Sequence, residues 1–139
     1  MYNKRWIAVA SLMVGIPVLI VLVTVFFVAG MGSVTVTMDD DRLRVDAPMV
    51  DRTISYDDII SAELRYDLDP GTRTGGFGGT YISSGNFRNG EFGTYTLAIY
   101  KNVQAYIVIN DGHRIMAFNQ NSVERTVEIF NELKLRIGQ

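Results

Sequence analysis

Apolar and polar positions divide this chain into two parts. Residues 7–31, IAVASLMVGIPVLIVLVTVFFVAGM, carry no charge. A segment apolar on every side has no solvent-facing stripe and does not fit a surface helix. At about 1.5 Å per helical residue its length matches the roughly 30 Å hydrocarbon core of a bilayer. The pattern therefore predicts a transmembrane helix over 7–31 behind a short flank, 1–6. Pro17 is compatible with a span, where neighbouring groups re-satisfy the freed carbonyl. A cleaved signal peptide is the competing reading. Its apolar stretch is usually about 7–15 residues, shorter than this one, although the small residues around Ala29, Gly30 and Ser33 would suit cleavage.

From 33 to 139 the pattern turns to short alternations. Residues 34–38 are β-branched up to Met38. Leu43, Val45 and Ala47 alternate with Arg42, Arg44 and Asp46, the period of a half-buried strand. Pro48 punctuates, and 50–56 can pair back with Ile54 inward. Residues 56–60 read as a turn or short helical bend into a strand over 61–66. A glycine-rich stretch, 71–93, holds eight of the thirteen glycines and reads as a long loop. Strands follow at 95–100, 105–109 and 114–118, the last two joined by a tight Asp111-Gly112 turn. These three predict an antiparallel meander. The chain ends in a helix capped by Asn121 or Ser122, with Val123, Val127, Phe130, Leu133 and Ile137 at helical spacing and Gly138 as terminator. A bent antiparallel sheet or partly open barrel of about seven strands exposes its core at one end, and an amphipathic C-terminal helix is the natural plug.

Charge adds orientation and exclusions. All fifteen acidic residues lie beyond the apolar run, together with all of the thirteen Lys and Arg except Lys4 and Arg5. A mildly acidic domain does not suit nucleic acid, which needs a basic face. Zero cysteines exclude a disulfide framework, a thiolate nucleophile and a cysteine metal site. Lys4 and Arg5 adjoin the run directly, while Arg42 and Arg44 belong to a folded strand. The positive-inside rule then sets the N-terminus in the cytoplasm and the domain outside the cell membrane.

The order of elements and several local motifs resemble the pleckstrin-homology-like domains of bacterial membrane proteins. The motifs are Asp57-Asp58-Ile59-Ile60, Arg73-Thr74-Gly75-Gly76, Ser84-Gly85-Asn86-Phe87, Phe92-Gly93-Thr94-Tyr95, Ile107-Val108-Ile109, Asp111-Gly112, Phe118-Asn119 and Glu124-Arg125-Thr126. They cover nearly the whole domain, from about Val34 to Leu135. They are glycines, aromatics and turn residues, which mark a fold rather than a chemistry. The resemblance implies a binding or scaffolding module and carries over no catalytic residue.

Candidate chemistry is sparse. Asp39, Asp40 and Asp41 are consecutive, whereas calcium needs six to eight spaced oxygens. His113 is the single histidine and lacks a second ligand or a nucleophile partner. Asp57 and Asp58 read as turn and cap residues. The glycine stretch could form an anion nest but has no Walker A ending. Its side chains Arg73, Tyr81, Phe87 and Arg88 combine aromatics with Arg, as at protein-contact hot spots, and Phe77 could dip into a membrane surface. The expectation is a non-catalytic module, membrane-anchored by a single span, without cofactor or metal, binding another membrane or envelope protein. The alternative is a lipid or small-ligand sensor that closes 71–93 over its ligand.

Overall fold

The computed structural model describes the backbone at 4–29 and 32–138, with side chains at 13–26 and 32–138. The chain forms two units, 1–31 and 32–139. The first is the helix α1, Lys4–Ala29. Here the expected transmembrane helix over 7–31 is corrected. Among the described residues no helix is long and apolar enough to cross a membrane. The side chains of 7–12 and 27–29 and residues 30–31 lie outside the described residues.

The second unit begins with a three-stranded antiparallel sheet, β1 (Thr35–Met38), β2 (Arg42–Ala47) and β3 (Val50–Ser55). Along β2 the alternation behaves as the pattern predicts: Leu43, Val45 and Ala47 are buried and the charged positions exposed. Ala47 pairs with Val50, so Pro48 and Met49 alone turn the chain. Proline fixes the first central position, and Met49 takes φ 61°, a conformation glycine adopts at lower cost. The Ser84 hydroxyl donates to the Pro48 carbonyl and ties this turn to the larger sheet. A short 3-10 turn, Tyr56–Asp58, leads onward.

The larger sheet comprises β4 (Ser61–Arg65), β5 (Thr72–Gly78), β6 (Ile82–Asn89), β7 (Gly93–Tyr100), β8 (Tyr106–Asn110) and β9 (Ile115–Phe118). Its order is β4-β8-β9-β7-β6-β5. Two expectations are corrected here. The meander over 95–118 is half right: β8 and β9 form the antiparallel hairpin, but β9 runs parallel to β7, Thr96 opposite Met116. β8 crosses past β7 and β9 returns into the slot between them. The reason is apolarity on both faces: β7, β8 and β9 carry consecutive buried positions, as interior strands do. The glycine stretch is not a long loop. It is the β5–β6 hairpin and the turn into β7, which is why the described residues hold nine strands rather than seven.

Glycine makes that hairpin possible at one place in particular. Gly76 and Gly85 face each other, at φ 138° and 126°. A Cβ built on Gly76 would lie 2.6 Å from the Gly85 Cα, and one on Gly85 would lie 2.5 Å from the Gly76 Cα. The strands meet backbone to backbone, next to a bulge at Thr74.

The helix α2, Val123–Ile137, is capped by Ser122, whose hydroxyl accepts from the Arg125 amide, and ends at Gly138 with φ 70°. Of the expected stripe Leu133 is buried and Phe130 and Ile137 pack against the core, but the buried face extends to Thr126 and Ile129 while Val123 is exposed. It packs with the small sheet on one face of the large sheet, in a core containing Leu43, Ile54, Ile107, Met116, Phe118 and Leu133. A second cluster, with Phe87, Tyr95, Leu97, Ile99, Tyr106 and Val108, lies on the opposite face.

Two opposite changes test the backbone argument. Gly85→Ala is expected to destabilise the domain by about 2 kcal/mol or more. Met49→Gly should stabilise it by up to about 1 kcal/mol, through relief of the positive φ. Urea unfolding midpoints, measured with an unchanged slope, check both signs.

Candidate functional site

Strand β5 is one outer edge of the large sheet, with β6 on its inner side. Thr72, Arg73, Thr74 and Gly75 are all exposed. Nothing lies within 4 Å of where a Gly75 Cβ would stand, so no side chain covers the sheet face at that position. At the far end the Arg73 guanidinium lies back over Gly78, filling the space of the missing side chain. The Gly79 amide donates to the Ile82 carbonyl at 2.9 Å and closes the hairpin.

Behind β6 and β7, on the face of the second cluster, a strap formed by 66–71 covers the sheet. Leu68 packs into the cluster. The Tyr95 phenol donates to the Pro70 carbonyl at 2.9 Å, and the Asn89 amide donates to the Asp69 carbonyl at 2.8 Å. Burial, with the charge of Asp69, pushes the Tyr95 phenol up to about 12, so it stays a donor throughout the physiological range. Between strap and sheet is a cavity of about 230 Å³, walled by Leu68, Phe87, Leu97 and Ile99 and reached by Ser83, Lys101 and Tyr106.

The structure distributes the side chains singled out in the sequence. Arg73 and Arg88 are exposed on the hairpin, and Tyr81 is half exposed at its tip. Phe77 is partly buried against the main core. Phe87 is 5% exposed and belongs to the second cluster, so it lines the cavity wall rather than the outer surface. Arg73 opposes Phe87, and Arg88 opposes Thr72. The hairpin thus brings Arg73 and Phe87 to one face and sends Phe77 inward on the other. Lys101, Ser83 and Tyr106 had no motif to mark them. The signal that could have found the second face is the run Tyr95, Leu97, Ile99, set against buried Thr96 and Ala98 in the same strand.

Across the sheets stands a mostly buried ion pair. Arg52 of β3 donates through Nη2 to Asp111 Oδ2, with side chains 18% and 12% exposed. Asp111 Oδ1 accepts from the amides of Arg114 at 2.8 Å and His113 at 3.0 Å. His113 is therefore a turn residue with an exposed ring. Arg52 Nη1 is buried with no hydrogen-bond partner, and the residue lines an open cleft with Met49, Asn86 and Arg114. Asp41 pairs with Arg42 at the surface, and Asp57 and Asp58 sit exposed in the 3-10 turn. Among the described residues no three His, Cys, Asp or Glu gather as a metal site would require.

A small sheet and a larger sheet packed with a C-terminal helix define a PH-like fold. The chain belongs to the bacterial PH domain family, which matches residues 34–130. Domains of this kind are generally non-catalytic modules for protein or lipid interaction. No curated protein and no solved structure matches the chain.

The Arg52–Asp111 clasp makes a pH-dependent prediction. Burial alone would raise the Asp111 pKa, but the amides of Arg114 and His113 and the Arg52 guanidinium outweigh it, so the net shift is downward. A carboxylate lowered from an unfolded value near 3.9 contributes stability above about pH 4 and loses it as pH falls through the folded pKa. Asp111→Asn is expected to cost about 2 kcal/mol at neutral pH and progressively less in acid. Denaturation midpoints of both proteins between neutral pH and pH 3 check the convergence.

Proposed function

We propose that this domain is a non-catalytic interaction module that takes an extended segment of a protein partner as an added strand along β5. The observation that carries the reading is the open edge itself. An edge strand presents a row of N–H and C=O groups to an incoming chain. Proteins commonly blunt such an edge with charge, Pro or a β-bulge; β5 carries a bulge at Thr74, while Gly75 beside it adds no side-chain bulk and Thr72 is exposed. Main-chain hydrogen bonds would supply the affinity, and exposed Arg73 and Tyr81 the selectivity. The bulge at Thr74 limits the pairing to a short segment.

A photo-crosslinking side chain at Thr74 of the full chain, in its own cells, tests this. The expected result is a discrete protein adduct that is absent when the crosslinker replaces Thr53, which is exposed on the other sheet. Gly75→Lys adds an edge charge into open space and should abolish the adduct while leaving the thermal midpoint unchanged. Adducts of equal strength at both positions, or lipid adducts alone at Thr74, would reject strand addition.

A further inference from the structure

We infer that the cavity beneath the 66–71 strap is a binding site for a small amphiphile with a carboxylate head and a compact apolar body. It stands apart from strand addition at β5 and survives if no partner strand adds there.

The body follows from size and lining. Leu68, Phe87, Leu97 and Ile99 supply apolar walls around about 230 Å³. An apolar cavity of roughly 150 Å³ already accepts benzene, so one aromatic ring with a short side arm fits. Two further lining residues carry hydroxyls, Ser83 and Tyr106, and neither hydroxyl makes a hydrogen bond among the described residues. An apolar pocket with a few convergent polar groups is the general form of a small-molecule site.

The head follows from charge. Lys101 lines the cavity, and its ammonium donates to the Gly79 carbonyl. The Arg73 guanidinium lies over Gly78, one residue away. Lys101 is thus the cation at the cavity, with Arg73 over the neighbouring residue of the hairpin end, and neither is in an ion pair among the described residues. The strap's own acids are engaged elsewhere: Asp67 with Arg65 at 3.8 Å, and Asp69 with the Gly71 amide at 2.9 Å. No carboxylate lines the cavity. In a domain richer in acids than bases, such a corner selects for an anion. The strap provides entry, since it is held by only a few hydrogen bonds, among them those from Tyr95 and Asn89.

Titrating the full chain with 3-phenylpropionate, read by methyl NMR, tests the site. Saturable shifts at the Leu68, Leu97 and Ile99 methyls are expected in the millimolar range or below. The uncharged amide of the same acid, on the wild-type chain, should bind about fivefold more weakly. Lys101→Met, which keeps an apolar stem at an exposed position, should weaken the acid by a similar factor and leave the amide unchanged. Pocket methyls that do not move would overturn the site. Equal binding of acid and amide would overturn the anionic head.

Discussion

Everything in the domain depends on where β9 goes. Entering between β7 and β8, it makes three strands interior and leaves them no solvent-facing side. Leu97, Ala117 and Val108 must then be covered on one face, and Ala98, Met116 and Ile109 on the other. The small sheet and α2 cover the second of these faces. The first is left to a strap of six residues and to Phe92, whose ring meets Tyr95 edge-on at 5.2 Å. A sheet with one heavily covered face and one lightly covered face concentrates its usable space on the light side, and the partly open cavity beneath the strap is found there.

The same placement decides which strands are edges. β4 lies beside α2, while β5 is the outer strand of a glycine-rich hairpin. Gly76 and Gly85 let the two backbones of that hairpin meet, and they also leave β5 with little side-chain cover. The close approach that builds the hairpin therefore also exposes its outer edge. On the opposite side, the Arg52–Asp111 pair and the Ser84–Pro48 hydrogen bond lock the small sheet to the large one. Rigid junctions lie on one side of the molecule and the open edge and strap on the other, a division suited to a module whose contacts change while its core does not.

Much of this was legible in the chain and some was not. The alternation of Leu43, Val45 and Ala47 located β2, Asp111-Gly112 located the β8–β9 turn, and Ser122 and Gly138 marked both ends of α2, because each is a local effect of dihedral preference or of period. The apolar stripe of α2 missed part of the buried face, since Thr126 packs inward by bonding its hydroxyl to the Ser122 carbonyl at 2.7 Å. Residues 71–93 read as a loop because glycine suppresses strand propensity. The pairing of Gly76 with Gly85 cannot be seen in a one-dimensional pattern. Residues 7–31 read as a full membrane span on apolarity alone, whereas among the described residues no helix is long and apolar enough to cross a membrane.

By itself the sequence determined the kind and order of the domain's elements, its family, its acidic balance and the lack of any thiol chemistry. These follow from residue type and near-neighbour spacing. Tertiary structure alone decided the insertion of β9, the two-sided core, the Arg52–Asp111 clasp across 59 residues, and the hydrogen bond of Lys101 to the Gly79 carbonyl beside a cavity. Each of these is a contact between segments far apart in the chain, set by which faces must be hidden from water once the strands have found their order.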